Sequence, residues 1–380
     1  AAYYSKTPAL QAQARFIRAT LMFELAMLWG PIPIIDQANM REARQPLVDV
    51  YKFIIEDLEF ASINLAESTS DRKIPTQGAA AALLGKLYIY VPEETGLRDY
   101  NKAISYFDRV IPKYSLVENY ADLFNTRLNQ NSAESIYAFQ FINISPDNNM
   151  TQHHAGSRAV ADVDGNTYFG GYDLILPTAY YYKDQAEGGV WQPGDTRRAA
   201  SIRYDFTLPD GRVPKITWTG QKDELEPHTK KFEDIRTQGV QNFWYSGGLI
   251  YYLRLADIIL CKAESLNELG KTAEALELLN STVRKRAFGG TVPAAYNWMG
   301  NTQEQLRENI MDERIRELGF EGWRRMDLIR TKKLVKFVSE RNPWAKEAGT
   351  IAEFHNRYPI PESEIKQNDM INESDQNPGY

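Results

Sequence analysis

The spacing of the apolar residues constrains this chain more than any other feature of its sequence. From Gln11 to Trp29 they return every three or four positions, at Phe16, Ala19, Phe23, Ala26 and Met27, which gathers them on one face of a helix. Gly30-Pro31 ends the pattern, because proline has no amide hydrogen to continue the ladder and glycine suits a C-terminal cap. The same spacing predicts a second helix from Val48 to Leu65, through Tyr51, Ile54, Ile55, Leu58 and Ile63. A third is predicted from Thr76, past Ala79 to Ala82, to Leu87 and Tyr90, and a fourth from Tyr100 to Ile111.

Two of these stretches carry the order of a tetratricopeptide repeat. Leu84-Gly85, Tyr88, Ala103 and Phe107 follow it, with Val91 to Gly96 lengthening the interval beyond the consensus. Ala263, Ala275, Leu279 and Ala287 follow it more closely. Small residues let paired helices approach, and larger ones fill the groove between them. The expected fold class is therefore mainly α: a tetratricopeptide-like scaffold of helical hairpins in residues 1–142 and again in residues 249–380.

Between Asn143 and Gly248 the period is lost. Asp162-Val163-Asp164-Gly165-Asn166 and Gly188-Gly189-Val190-Trp191-Gln192-Pro193-Gly194 are turn-forming runs, and only Ile202 to Leu208 and Val213 to Trp218 read as short strands. A structureless connection this long is unexpected in a compact domain unless it serves a function. Residues 143–248 are expected to form a loop-rich inserted subdomain with little β structure, where binding tends to reside.

Charge and cysteine usage narrow the function. Lys and Arg number 44 against 50 Asp and Glu, a formal net charge of -6, so the basic excess that neutralises nucleic-acid phosphates is missing. With Cys261 as its one cysteine, the chain has no disulfide framework and relies on packing. No run of about 18 apolar residues marks a membrane span.

Several patterns that resemble chemistry fail on context. Gly270-Lys271-Thr272 looks like the end of a phosphate loop, but Ser265 stands where the upstream glycine belongs, and the run falls between two repeat helices. His153-His154 lacks the spacing that brings two imidazoles onto one metal, and reads as part of a turn. Asp162, Asp164 and Asn166 alternate like a calcium loop, but Gly165 is out of place and no bidentate glutamate follows. Cys261 sits among Leu255, Ile258, Ile259 and Ala263 and is expected to be a buried, inert thiol. The densest charge cluster runs from Asp312 to Arg330. Its carboxylates have arginines at helical neighbour distance, Arg314 to Glu317, Arg324 to Asp327 and Asp327 to Arg330. Such carboxylates stay ionised, which suits a structural network and not a general acid. No catalytic residue, cofactor or metal is expected.

These charged residues also carry a family resemblance. The helix Leu253-Arg254-Leu255-Ala256-Asp257 through Lys262-Ala263-Glu264 to Gly270 resembles one of the SusD/RagB family, as do Glu313-Arg314, Glu317-Leu318, Phe320-Glu321-Gly322, Arg324 and Asp327-Leu328-Ile329-Arg330. The tail is similar as well, with Tyr358-Pro359-Ile360-Pro361 followed by Gln376-Asn377-Pro378-Gly379-Tyr380. Weaker matches lie at Arg18-Ala19, Gly30 to Pro33, Leu176-Pro177-Thr178 and Asp195-Thr196-Arg197. The resemblance implies an outer-membrane, surface-facing lipoprotein that captures oligosaccharides, or peptides in some members, as the lid of a TonB-dependent (SusC-like) transporter. It also implies a lipidated cysteine and a longer leading segment, so a trimmed product is expected, with its membrane anchor absent from this chain.

The expected function is non-catalytic capture of a glycan for import. A sugar ring presents an apolar C–H face that stacks on tyrosine or tryptophan, while polar neighbours take the hydroxyls. The insert supplies Tyr168, Phe169, Tyr172, Trp191, Trp218, Trp244 and Tyr245, of which Tyr168, Tyr172, Trp191, Trp218, Trp244 and Tyr245 are the candidate ligand-binding residues. Tyr180-Tyr181-Tyr182 instead reads as the start of a buried helix. Two other classes stay open. A glycoside hydrolase would need an unpaired carboxylate couple, and none is evident; a tetratricopeptide scaffold gripping a peptide would not need the aromatic insert.

Overall fold

The computed structural model describes residues 6–35, 41–163, 170–204, 207–208, 210–213, 225–237 and 244–380. The candidate residues Tyr168 and Trp218, the calcium-like run from Asp164 to Asn166, and most of Val213 to Trp218 lie outside them. Backbone contacts divide the chain into two units: residues 1–113, 325–339 and 348–380, and residues 114–324 and 340–347.

The first unit is a stack of antiparallel helices, α1 (Pro8–Trp29), α2 (Leu47–Asn64), α3 (Gln77–Tyr90) and α4 (Tyr100–Val110). Each boundary has a local cause. Pro8 opens α1, where its missing amide hydrogen is not needed. The Thr76 hydroxyl accepts from the amide of Ala79 at the start of α3, and the Asp99 carboxylate from that of Lys102 at the start of α4. Gly30 closes α1 at φ 79°, a backbone angle that other residues rarely adopt. The alanines of α3 let its neighbours approach from several sides, and Ala79 to Ala82 are all buried. At Gly85 the approach is closest, because a Cβ there would meet the Phe107 ring at 2.4 Å.

The tail clasps the end of α1. Trp29 Nε1 donates to the carbonyl of Pro359 at 2.9 Å, and Asn377 Nδ2 donates to the carbonyls of Trp29 and Tyr358. The Gln376 side chain pairs with both backbone groups of Ile360. The two Pro-Ile-Pro segments of the resemblance, Pro31 to Pro33 and Pro359 to Pro361, thus belong to one unit. Among the described residues, no helix is long and apolar enough to cross a membrane.

The second unit is built around an antiparallel strand pair and a helical hairpin. Strand β1 (Ser135–Phe139) opens it; the five-residue helix α5 (Thr151–Ala155) and the two-residue strands β2 (Ile202–Arg203) and β3 (His228–Thr229) follow. Strand β4 (Ile250–Arg254) pairs with β1 and runs straight into the helix Leu255–Glu268. That helix, the helix Thr272–Ser281 and the helix Gln303–Leu318 pack together, with Ala263, Ala275, Leu279 and Cys261 all buried. Tyr181 and Tyr182 are buried too, in the short helix Ala179–Tyr182.

The charged signature forms the polar centre of this unit. Glu317, with no exposed surface, accepts from Arg254 at 2.6 Å, Arg197 at 2.9 Å and Arg286. Glu134 shares Arg254 and Arg286 with Glu317, while Glu313 shares Arg197 with it and also pairs with Arg284 and Arg316. Glu321 receives Arg254 and Lys231. Burial alone pushes the Glu317 carboxyl up, but Arg286, Arg254 and Arg197 reverse this and hold it well below the usual carboxylate range. The expected helical-neighbour partners give way to distant ones here: Arg314 of the same turn reaches Asp257 at 2.9 Å, while Glu317 is held by arginines from other elements. The expected pair of Asp327 and Arg330 is present at 2.9 Å, in the first unit.

Candidate ligand-binding site

The loops of the second unit are ordered by backbone pairing that no periodicity announces. After β1, Asn149 pairs with Ser246 through both backbone bonds, 2.9 and 3.0 Å long. α5 follows at once, and residues 170–174 return alongside it. The amides of Gly171, Tyr172, Asp173 and Leu174 donate to the carbonyls of Ser157, His153, Gly156 and His154, respectively. Two glycines make this approach possible, since a Cβ on Gly171 would stand 2.0 Å from the His153 carbonyl oxygen and one on Gly156 would stand 2.6 Å from that of Gly170.

These pairings bring three of the candidate aromatics together around His153. The Tyr172 ring lies edge-on to the imidazole at 4.2 Å, the Trp244 ring is tilted against it at 5.6 Å, and Tyr245 stands edge-on to Trp244 at 5.9 Å. The imidazole is 8% exposed and Tyr172 is 49% exposed, while Trp244 and Tyr245 are half-buried. Burial lowers the His153 pKa, and His154 beside it adds to the effect; a hydrogen bond with the Gly170 backbone opposes it. The ring is therefore neutral at neutral pH and serves as an uncharged floor under the aromatic rim. Arg158 donates to the carbonyl of Tyr172 at 3.0 Å, which brings a polar head to the same rim.

Trp191 does not join them. Its indole is fully buried against Tyr181, Tyr182, Val190 and Ile202, and its Nε1 donates to the carbonyl of Tyr181. The turn-forming glycines around it made the stretch look like an open loop. In fact Gln185 donates to the carbonyl of Trp191, and Val190 to that of Tyr180, so the loop folds back and tucks the ring inward. Trp191 is corrected to a core residue. Tyr168 and Trp218 fall outside the described residues. Sequence reasoning missed His153 as a member of the cluster, since a histidine pair in a turn carries no signal beyond metal binding. Among the described residues, no group of three or more histidine, cysteine, aspartate or glutamate side chains is arranged to hold a metal ion.

The carboxylates of the signature offer no acid–base couple. Glu317 and Glu321 are covered by guanidinium and ammonium groups, and both are held below the usual carboxylate range. What the aromatic cluster offers instead is apolar ring faces beside polar backbone, the surface a sugar ring or a similarly amphipathic ligand stacks against.

The chain is similar to known proteins along its whole length. It is 27% identical over 393 residues to SusD-like protein P2 of Formosa agariphila, covering 99% of this chain and 75% of that protein. It is 26% identical to the starch-binding protein SusD of Bacteroides thetaiotaomicron, covering 97% of this chain and 72% of that one. The crystal structure of a SusD homologue from the same Bacteroides species superposes with a TM-score of 0.79 at 24% identity, over 98% of this chain and 79% of that chain. A family model described as starch-binding and associating with the outer membrane matches residues 3–89. Residues 133–380 match the model of the SusD family itself, a span that holds the β1–β4 pair, the charged centre and the clasping tail. The chain belongs to the SusD family.

Proposed function

We propose that the protein captures an oligosaccharide at the cell surface, without cleaving it, and delivers it to a TonB-dependent transporter of the outer membrane. The observation that carries this reading is the grouping of Tyr172, Trp244 and Tyr245 around the neutral, buried His153. A relative bears a starch-binding name, and the family description that matches residues 3–89 speaks of the outer membrane; both support the reading. The ionised state of Glu317 and Glu321 supports capture without cleavage, since a glycosidase acid must hold its proton near neutral pH. Delivery and anchoring are carried over from the resemblance of the charged signature and the tail.

Stacking on a shallow aromatic rim buries little surface per sugar, so the affinity is expected between about 10 µM and 1 mM. Calorimetric titration with maltoheptaose, laminarihexaose and cellohexaose measures it. Trp244→Ala is expected to weaken the best of these about tenfold, or about 1.4 kcal/mol, with its melting temperature checked alongside. If none of the three binds, or if a folded Trp244→Ala binds like the parent, the reading fails. Overnight incubation with the bound sugar should release no shorter fragments. Capture of the membrane-anchored protein from native outer membranes should recover one TonB-dependent barrel in near-equal amount.

A further inference from the structure

The aromatic cluster is carried by three separate stretches of chain: the start of α5, residues 170–174, and residues 244–247, the last braced by the turn around Asn143. Short loops of this kind do not hold ring geometry by themselves, because fixing each residue costs backbone entropy. One residue, Asp234, ties the first and the last of these to that turn. The Asp234 carboxylate, with no exposed surface, accepts on Oδ2 from Asn143 Nδ2 at 3.0 Å, from the Ser246 hydroxyl at 3.1 Å and from the Gly247 amide at 3.0 Å. On Oδ1 it accepts from the Thr126 hydroxyl at 2.9 Å, and Arg236 donates to both oxygens. Its own amide donates to the Gln152 side chain, the residue immediately before His153. Asn143 passes the tie onward, since its Nδ2 also donates to the carbonyl of Tyr245 at 3.0 Å.

The segment that carries Asp234 is itself fastened. Three residues earlier, Lys231 places its ammonium 2.8 Å from Glu321 and donates to the carbonyl of Glu317 at 3.0 Å, packed over the Phe124 ring. One short stretch of chain therefore grips the rigid charged centre with Lys231 and the aromatic loops with Asp234.

We propose that Asp234 is the positioning residue of the aromatic site: its carboxylate holds the Asn143 turn and residues 246–247, its amide holds Gln152, and together they set Trp244 and Tyr245 against His153. It touches no ligand and acts through Asn143, Gln152, Ser246 and Gly247. A carboxylate suits this role because its partners are donors: amides, hydroxyls and a guanidinium. An asparagine of the same shape would turn an NH2 group toward some of these donors, whichever way its amide faced.

The affinity arm of the test rests on the glycan-binding reading above, and the spectroscopic arm does not. The protein is labelled with 5-fluorotryptophan, and the Trp244 resonance is assigned by its loss in Trp244→Phe. In Asp234→Asn, the Trp244 fluorine resonance is expected to shift or broaden while those of Trp191 and Trp323 stay in place; maltoheptaose affinity should fall about tenfold. Trp244 unmoved in a folded Asp234→Asn overturns the proposal. Should that variant not fold, Asn143→Ala removes one tie and leaves the others, and an unmoved Trp244 resonance there overturns it equally. If the parent binds none of the oligosaccharides, the glycan reading falls, and the Trp244 resonance alone still decides the role of Asp234.

Discussion

Glu317 illustrates how one buried charge can draw together several elements of a fold. It lies unexposed among Arg197, Arg254 and Arg286. Removing one partner from a buried charge cluster leaves the others uncompensated, so Glu317→Ala is expected to cost about 3–5 kcal/mol in urea unfolding. Glu313 and Glu317 also set the response to acid. Their folded pKa values lie below those of the unfolded chain, so the folded state binds fewer protons and their contribution is complete at neutral pH. It is lost as pH falls below about 4.3, the ordinary glutamate value, and urea midpoints measured from pH 7 to 3 should drop through that window. The ionised, structural state of Glu317 was legible in the sequence from the density of nearby arginines. Its partners were not, for they stand 120, 63 and 31 positions away and only the fold brings them in.

At the scale of elements, two glycines make opposite points about legibility. Gly85 was readable, because the repeat order calls for a small residue where paired helices touch. A methyl group there would meet Phe107, so Gly85→Ala should destabilise the first unit by about 1–3 kcal/mol, measured by thermal melting with far-ultraviolet dichroism. Gly171 was not readable, because it sits in a stretch without period. Gly171→Ala would push residues 170–174 away from α5 and take Tyr172 with them, lowering oligosaccharide affinity more than it lowers stability. The four long helices of the first unit follow their predicted spans closely, since helix formation needs only the side chains of the helix and the face it covers. The loops around His153 answer to backbone bonds between segments far apart, and a local pattern has no access to those. Trp191 failed for a more local reason: the bonds of Gln185 to Trp191 and of Val190 to Tyr180 fold a short loop back on itself, and no periodicity marks them.

For the whole molecule, the two units divide the work. Asp327 accepts from the Tyr90 hydroxyl at 2.6 Å and from Arg330 in the first unit, while the aromatic cluster belongs to the second. Asp327→Ala is therefore expected to lower stability by about 1–3 kcal/mol and leave oligosaccharide affinity unchanged; a normally melting variant that no longer binds would contradict this. Sequence order hides that residues 325–339 and 348–380 join the first unit from the far end of the chain, because nothing in a linear pattern marks which helices share a core. The charged centre has a further consequence, in the order of events as the chain is made. Synthesis delivers Glu134, Arg197, Arg254, Arg284 and Arg286 long before Glu313 and Glu317, and Tyr120 waits for a carbonyl 197 residues downstream. Contacts of such separation form late and slowly, so the arginines that pair with Glu313 and Glu317 lack those partners until residues 313–317 arrive. A product that stops short of Glu313 carries the guanidinium groups without Glu313, Glu317 and Glu321, most of the carboxylates that let them leave water, and its second unit stays open for proteases.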